Sequence, residues 1–288
     1  MWVKRPSTAN MSRGAAFALG VAVVFVVAFF LFLFIPPCPA AGLERDIYEE
    51  EQPPPPPSIG LHVIQQPPWR AARQAEFRDA LLATLRHPSV HTVHALTESV
   101  AHQVALYEEV VPANLHHKLR THNIGKRISY ADGVRYANRY LGNTTTLLCN
   151  ADISVAGPEW DRLSVHMLRR FLWGLSRDER PGCAWQCDCA GRWNGCHDCF
   201  AFVPPLRGGD ALLERIAFRV GGLWGSENRF MWEVAQTNPH LRVRNPCRTF
   251  HTAHWHCTES GRYRPTQDQR RVNDANRSLA PWPEHWHL

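Results

Sequence analysis

The feature that most restricts the architecture of this 288-residue chain is an apolar run at residues 15–35. Its 21 residues, AAFALGVAVVFVVAFFLFLFI, carry no charge. At about 1.5 Å per residue, a helix of this length matches the roughly 30 Å hydrocarbon core of a bilayer. The run predicts a transmembrane helix. The alternative is a cleaved signal peptide. The small residues at 38–42 favour this alternative, but the apolar region of a signal peptide is usually shorter.

The charges on either side of this run indicate its orientation. Three basic residues precede it at positions 4–13, and five acidic residues follow it at positions 44–51. Because basic flanks stay on the cytosolic side, we expect residues 1–14 in the cytosol and residues 15–35 as a signal-anchor. The rest of the chain is then expected in the lumen of the Golgi or the endoplasmic reticulum, as in a single-pass type II protein.

Glycosylation and cysteine patterns agree with a lumenal location. Asn143 and Asn276 each begin an Asn-x-Ser/Thr pattern, the acceptor for N-glycosylation. Of the nine cysteines, Cys38 lies at the membrane edge and eight follow it. In an oxidising compartment this even number predicts up to four disulfides.

A cysteine cluster between Cys183 and Cys199 leaves two alternatives open. Its spacing, C-x3-C-x-C-x6-C-x2-C, resembles a zinc knuckle as well as a disulfide-tied loop. Thiols beyond the membrane become disulfides more readily, which favours bridges, while zinc would make the chain a metal-stabilised lumenal adaptor.

The order of apolar segments predicts one α/β domain at residues 59–262. An acidic and proline-rich stretch at 36–58 precedes it as a stalk, and a polar tail at 263–288 follows it. The predicted elements are a strand at 59–64, a helix at 69–86 closed by Pro88, a half-exposed strand at 90–96, an extended segment at 118–124, a helix capped by Ser129 with Asp132, and a strand at 144–149. This alternation is typical of a mixed, mostly parallel sheet flanked by helices, Rossmann-like, with ligands at the carboxyl ends of its strands.

Asn150 and Asp152 follow the last of these strands, where such a ligand lies. A carboxylate there can bind a divalent cation, which in turn neutralises a diphosphate. A turn-forming Asn/Asp pair explains the same residues equally well.

Charge and missing motifs exclude other classes. The net charge of +6 suits an anionic partner such as nucleic acid, lipid head groups or a nucleotide diphosphate, but it is spread along the chain, and a solvated surface explains it more simply. We expect no nucleic-acid partner. The sequence holds no Gly-x-Ser-x-Gly elbow, Walker loop, Asp-Phe-Gly or His-Glu-x-x-His pattern, which argues against hydrolases, NTPases, kinases and zincins.

A series of motifs resembles family-2-like glycosyltransferases of the GT-A type, which bind nucleotide sugars. In chain order they are IGLHVI, RQAEFRDALLATLRHP, VHTVHALTE, NIGKRISYADGVRYAN, LLCNADI, LSR, CHDCFAF, FRVGGLWGSENR, and NP followed by HWH. The resemblance spans about residues 59–262 and is most specific at Asn-Ala-Asp-Ile and Gly-Ser-Glu-Asn-Arg.

The resemblance implies a nucleotide-sugar donor held with Mn²⁺ or Mg²⁺. Asp152 matches the second acid of the Asp-x-Asp motif, and His256 or His254 matches a late histidine of the metal shell. Asn150 replaces the first acid; its neutral oxygen can coordinate a cation or contact the ribose. The nucleotide-holding helix of the family corresponds to Arg127, Tyr130 and Asn138, although core packing also explains Tyr130.

The resemblance also assigns catalytic roles. Glu227 matches the general base that deprotonates the acceptor hydroxyl in inverting enzymes, whereas its spacing alone is typical of a first-turn glutamate stabilised by the helix dipole. Asp198 matches a second family carboxylate. Trp185, Trp193 and Trp224 are candidates for stacking on sugar rings, or for core positions.

The resemblance therefore predicts a type II membrane enzyme that transfers a hexose from a nucleotide-diphosphate sugar to a hydroxyl of a glycan, protein or lipid, with inversion. The alternative is a catalytically inactive, membrane-tethered binding module with the same fold, which Asn150 and the cysteine cluster favour.

Overall fold

A computed structural model describes residues 61–66, 73–179, 197–220 and 225–256. All of them belong to the second of two units into which the chain divides, residues 47–288.

The described elements alternate between strands and helices, as the sequence predicts. The strands are β1 Leu61–Gln65, β2 Val90–Thr97, β3 Leu119–Asn123, β4 Thr145–Cys149, β5 Ile153–Ala156, β6 Phe171–Ser176, β7 Asp178–Glu179, β8 His197–Phe202, β9 Arg242–Arg244 and β10 His251–His254. The α-helices are α1 Gln74–Arg86, α2 Val100–Ala105, α3 Tyr130–Tyr140, α4 Val165–Leu168, α5 Gly209–Arg215 and α6 Ser226–Thr237. A π-helical turn at Leu106–Val110 and 3₁₀ turns at Ala113–Lys118 and Pro158–Arg162 complete the described segments.

Seven strands form the main sheet in the order β3-β2-β1-β4-β8-β6-β9. The pairs β1–β2, β1–β4, β2–β3 and β6–β9 are parallel, and β8 runs antiparallel to both β4 and β6. All strands of this sheet except β8 therefore point the same way. This confirms the predicted mixed, mostly parallel sheet flanked by helices.

A second sheet of three strands, β5-β10-β7, follows the carboxyl end of β4. Strand β10 is antiparallel to β5 and parallel to β7. Only three residues separate the end of β4 from the start of β5, so the Asn150–Asp152 segment connects the two sheets.

Successive side chains of the main sheet point to opposite faces and pack into two apolar cores, one on each face. Leu148 and Phe200 pack with α3 and α6 on one face, whereas Leu147 and Ala201 pack with α1 on the other. This is the period of two that a strand buried on both faces requires.

The predicted exposure of β2 is wrong, because the polar residues of its alternating pattern are buried. Thr92 and His94 are 3% and 1% exposed, and only His91 faces solvent. A hydrogen-bonded row accounts for this: Thr92 Oγ1 contacts His62 Nδ1 at 2.7 Å, His62 Nδ1 contacts His94 Nε2 at 3.1 Å, and His94 Nδ1 contacts the Tyr136 hydroxyl at 2.9 Å. Partners for each polar group allow burial.

The start of α3 confirms the predicted cap. The Ser129 side chain accepts from the Asp132 N–H, and the Asp132 carboxylate accepts from the Ser129 N–H at 3.0 Å. This capping box directs the helix across the sheet from its carboxyl edge.

Several sequence predictions fall outside the described residues. They are the 15–35 helix, the 36–58 stalk, the 263–288 tail, Asn276, the cysteines at 38, 183, 187, 189, 196 and 257, and the tryptophans at 185, 193 and 224. Within the part of the chain that the structure describes, every helix is too short or too polar to cross a bilayer.

Candidate functional site

Polar side chains from several elements meet at the carboxyl edge of β4. Asn150 and Asp152 lie within three residues of the end of β4, and Asp198 is the second residue of the antiparallel β8 beside it. Arg177 follows β6, and His254 ends β10. Ligands of open α/β sheets bind at this edge, so the fold gathers these side chains where chemistry is expected.

Asn150 is held against Asp198 by both backbone and side chain. The Asn150 N–H donates to the Asp198 carbonyl at 2.8 Å, and its Nδ2 donates to the Asp198 carboxylate. Both residues are less than a tenth exposed, at 8% and 6%. The Asn150 Oδ1 atom is buried and accepts no hydrogen bond from any described residue.

A second buried acceptor lies next to it. Gln65, the last residue of β1, donates through Nε2 to the carbonyls of Asn150 at 3.3 Å and Ile153 at 2.6 Å. Its Oε1 has no hydrogen-bond donor among the described residues. Two neighbouring unsatisfied oxygens are costly in a folded protein unless a ligand or water donates to them.

A disulfide ties the two strands together at the site. Cys149 and Cys199 are directly opposite in the β4–β8 register and are bonded to each other. Each is adjacent in sequence to a site residue, Asn150 and Asp198. Cys247 is also disulfide-bonded, so its partner lies outside the described residues. These bridges agree with the prediction that the cysteines after Cys38 form disulfides.

Arg177 links two carboxylates. Its Nη1 donates to Asp198, and its Nε donates to Glu179 at 2.6 Å. Burial alone would lower the pKa of Arg177, but the charges of Asp198 and Glu179 outweigh burial and raise it. Both oxygens of Asp198 are therefore engaged, one by Asn150 and one by Arg177.

His254 continues this row of alternating charges. Its Nδ1 contacts Glu179 at 2.6 Å and its Nε2 faces Asp152 at 3.4 Å. Burial alone would lower the pKa of His254, but hydrogen bonds to Asp152 and Glu179 outweigh it and raise the pKa to about 9. The imidazole is consequently charged at neutral pH and donates from both nitrogens.

Arg73, the residue before α1, completes the row. Its Nη2 donates to Asp152 at 2.6 Å and its Nε to Glu76 at 2.7 Å. Glu76 in turn contacts His256 Nδ1 at 2.8 Å. Burial would raise the pKa of Asp152, but the hydrogen bonds and charges of His254 and Arg73 hold it well below its usual range.

Glu227 lies in the first turn of α6, which begins after Gly225 with its left-handed backbone of φ 81°. Burial and the negative charge of Asp198 raise the pKa of Glu227 to about 8, against smaller opposing contributions from local hydrogen bonds and Arg177. A carboxyl with this pKa is mostly protonated at pH 7 and can exchange a proton near physiological pH.

Of the three residues predicted to hold the nucleotide, Arg127 lies near this edge. Gln66, directly after β1, binds the backbone on both sides of Arg127, at Lys126 and Ile128. Tyr130 is instead fully buried, with its ring 4.7 Å from Phe230.

Asn138 does not reach this edge either. It lies about two helical turns further along α3 than Tyr130, where its amide both donates to and accepts from the backbone of Leu206. Tyr130 and Asn138 thus shape the core and a loop rather than the edge of the sheet.

The side chains around Asp152 do not fit the divalent cation that the resemblance implies. The Arg73 guanidinium lies 2.6 Å from Asp152 Oδ2, and His254 Nδ1 contacts Glu179 at 2.6 Å. His256 faces Glu76 rather than Asp152. Among the described residues no group of three His, Cys, Asp or Glu side chains has metal-binding geometry.

Sequence reasoning missed four residues of the site: Gln65, Arg73, Arg177 and Glu179. Glu179 belongs to no motif, and Arg73 and Arg177 lie in the RQAEF and LSR segments, to which the resemblance assigns no site role. Only the three-dimensional fold brings these residues near Asp152. Gln65 had a usable signal, because it directly follows the strand predicted at 59–64, at the carboxyl end where ligands of such sheets bind.

Comparison with known proteins gives remote likenesses of fold. No protein-family model and no curated protein sequence matches the chain. Residues 1–349 of TarS from S. aureus align over 62% of this chain and 65% of that one, with 9% identity and a TM-score of 0.33. The 4-diphosphocytidyl-2C-methyl-D-erythritol synthase of Anaerococcus prevotii aligns over 77% of this chain and 96% of that one, with 8% identity and a TM-score of 0.34. This chain thus spans slightly less than two thirds of the TarS fragment.

Proposed function

We propose that the chain is a GT-A-like glycosyltransferase that moves a hexose from a nucleotide-diphosphate sugar to a hydroxyl of a glycan, protein or lipid, with inversion at the anomeric carbon. The observation that carries the proposal is the arrangement of Asn150, Asp198 and Glu227 at the carboxyl edge of a mostly parallel sheet. Asp198 is fixed by hydrogen bonds, and beside it Glu227 has a pKa of about 8.

Glu227 suits the role of general base better than Asp198. Both oxygens of Asp198 are occupied by Asn150 and Arg177, so it orients its neighbours and tunes Glu227. When Glu227 is ionised, it accepts the proton of the acceptor hydroxyl as that oxygen bonds to the anomeric carbon. The bond from this carbon to the diphosphate breaks, and the electron pair leaves with the phosphate oxygen.

The unsatisfied oxygens of Asn150 and Gln65 support a polyhydroxylated ligand. Asn150 Oδ1 and Gln65 Oε1 are both buried acceptors at the same edge. A ribose or a hexose offers hydroxyl donors that would satisfy them. Their burial makes the pair selective, since a ligand without such donors leaves them unpaired.

The location of the enzyme belongs to the same proposal. The uncharged 15–35 run and the basic residues before it support a single-pass type II anchor with the catalytic domain in the Golgi or endoplasmic reticulum. The disulfide between Cys149 and Cys199 supports an oxidising compartment. Protease protection of the full-length chain in microsomes tests this topology.

A binding module without turnover is the second candidate. Asn150 stands where the resemblance implies an acid, and Asp152 is neutralised by the protein's own Arg73 and His254. Such a module would bind a glycan or protein at this edge but release no nucleotide.

One experiment separates the two candidates without knowledge of the acceptor. The full-length chain is incubated with UDP- and GDP-hexoses, and release of UDP or GDP is followed while water acts as acceptor. We expect slow release, and NMR of the first sugar formed should show the anomer opposite to that of the donor. Binding without release supports the module, and retained configuration contradicts the role of Glu227.

A further inference from the structure

Asp152 already contacts an arginine and a histidine at the position where the resemblance implies a divalent cation. Arg73 Nη2 lies 2.6 Å and His254 Nε2 lies 3.4 Å from the same carboxylate oxygen, Oδ2. Asp152 is largely buried, with 14% of its side chain exposed. A dication at this carboxylate would meet the permanent positive charge of Arg73 in a poorly solvated place.

Arg73 is itself held in position. Its Nε donates to Glu76 at 2.7 Å, and its guanidinium carbon lies 4.7 Å from the centre of the Phe77 ring. The remaining group, Nη1, makes no hydrogen bond to any residue that the structure describes, and 26% of the side chain is exposed. The arginine can therefore keep its contact with Asp152 and still donate to an anion in the site.

We propose that this site binds the nucleotide diphosphate without a divalent cation, and that Arg73 supplies the positive charge beside the phosphates. The proposal rests on the donor class given under the proposed function. A guanidinium suits the task, because its planar set of N–H donors matches phosphate oxygens. Asp152 then serves as the counter-ion that positions Arg73 and His254, and does not act as a metal ligand.

The first test measures the metal alone. Mn²⁺ is titrated into the untagged full-length chain, and the electron paramagnetic resonance signal of free Mn²⁺ is followed for the wild type and for Asp152→Asn. We expect the free signal to stay undiminished in both proteins. Loss of signal equal to one Mn²⁺ per chain, abolished by Asp152→Asn, overturns the proposal.

The second test measures the nucleotide. Calorimetric titration with UDP and with GDP is performed in EDTA and in Mn²⁺, and we expect dissociation constants that agree within about threefold. Arg73→Ala should weaken binding by about tenfold or more, because a charge-assisted contact is lost, and Arg73→Lys should weaken it less. Arg78→Ala is the matched control, since Arg78 lies in α1, which Arg73 directly precedes, and its half-exposed side chain pairs with its neighbour Asp79.

The outcomes separate the two proposals. Binding in Mn²⁺ but not in EDTA overturns metal independence and leaves the donor class standing. No binding in either buffer, from a chain with an unchanged circular dichroism spectrum, overturns the donor class and metal independence together. Equal binding of Arg73→Ala and wild type removes Arg73 from the phosphate site.

Discussion

Asp198 and Glu227 lie close enough at the carboxyl edge for the charge of Asp198 to reach the Glu227 carboxyl. Together with burial, that charge raises the pKa of Glu227 to about 8. Asp198 is meanwhile fixed between Asn150 and Arg177. One carboxylate is thus held in place while its neighbour is poised to exchange a proton.

Replacing Glu227 by Gln should abolish the base and leave the fold and the donor site intact. We expect kcat to fall by about 10²- to 10⁴-fold, the usual contribution of a general base, with little change in affinity for the nucleotide sugar. Release of UDP or GDP from the corresponding sugar is the measurement. Glu214→Gln, on the exposed side of α5, is the control and should behave as wild type. Unchanged turnover of Glu227→Gln would assign the base to another residue.

Removing the charge of Asp198 should move the pH profile. Because Glu227 must be ionised to accept a proton, turnover should rise with pH through the pKa of about 8. Asp198→Asn removes the repulsion that disfavours ionised Glu227, so the rise should occur at lower pH. The readout is the midpoint of the pH–kcat curve, which a purely structural role for Asp198 leaves in place. A midpoint unmoved in Asp198→Asn contradicts the coupling of the two carboxyls.

The Cys149–Cys199 disulfide should matter for stability and for the site. It closes a loop with a sequence separation of 50 residues, for which chain-entropy arguments give about 4 kcal/mol. The double variant Cys149→Ala/Cys199→Ala should lose about 2–4 kcal/mol of unfolding free energy.

Chemical denaturation of the double variant gives that free energy, and nucleotide binding reports on Asn150 and Asp198 beside the bridge. Mass spectrometry first establishes that the wild-type chain is oxidised. An equal free energy of unfolding with and without reductant then contradicts the prediction.

Local patterns in the sequence predicted the helices and strands of this protein. The candidate site depends instead on contacts between residues far apart in the sequence. The Ser129–Asp132 cap and the apolar strands follow from patterns within a few residues. The contact between Asn150 and Asp198 joins residues 48 apart, and only the β4–β8 register brings them together.

The same limit applies to the surroundings of the predicted metal ligand Asp152. A motif places Asp152 at a strand end, but its partner Arg73 lies 79 residues earlier, in a segment to which the resemblance assigns no site role. The polarity of Thr92 and His94 led to a wrong prediction that β2 is half exposed. Both residues are buried because they bond to His62 and Tyr136, which come from other elements. Burial of polar groups depends on partners that composition does not identify.

The buried histidine row predicts loss of stability in mild acid. Burial lowers the pKa of His94 well below its usual value, with further lowering from the neighbouring His62, Arg120 and His91. The unfolded chain, in which histidine titrates near 6.5, therefore binds a proton that folded His94 does not. Stability is fully present above about pH 6.5 and should fall below it, by at most about 1.4 kcal/mol per pH unit for this residue.

Two variants on strand β2 isolate this contribution. His94→Gln, which cannot gain the proton, should show a weaker pH dependence of the unfolding free energy between pH 7.5 and 5.5 than wild type, even though loss of the Tyr136 contact lowers its stability overall. His91→Gln is the matched control, because His91 is exposed on the same strand and its removal should leave the slope unchanged. Equal slopes in His94→Gln and wild type would mean that His94 is not the group whose protonation is suppressed by folding. Urea denaturation at a series of pH values gives the slopes directly.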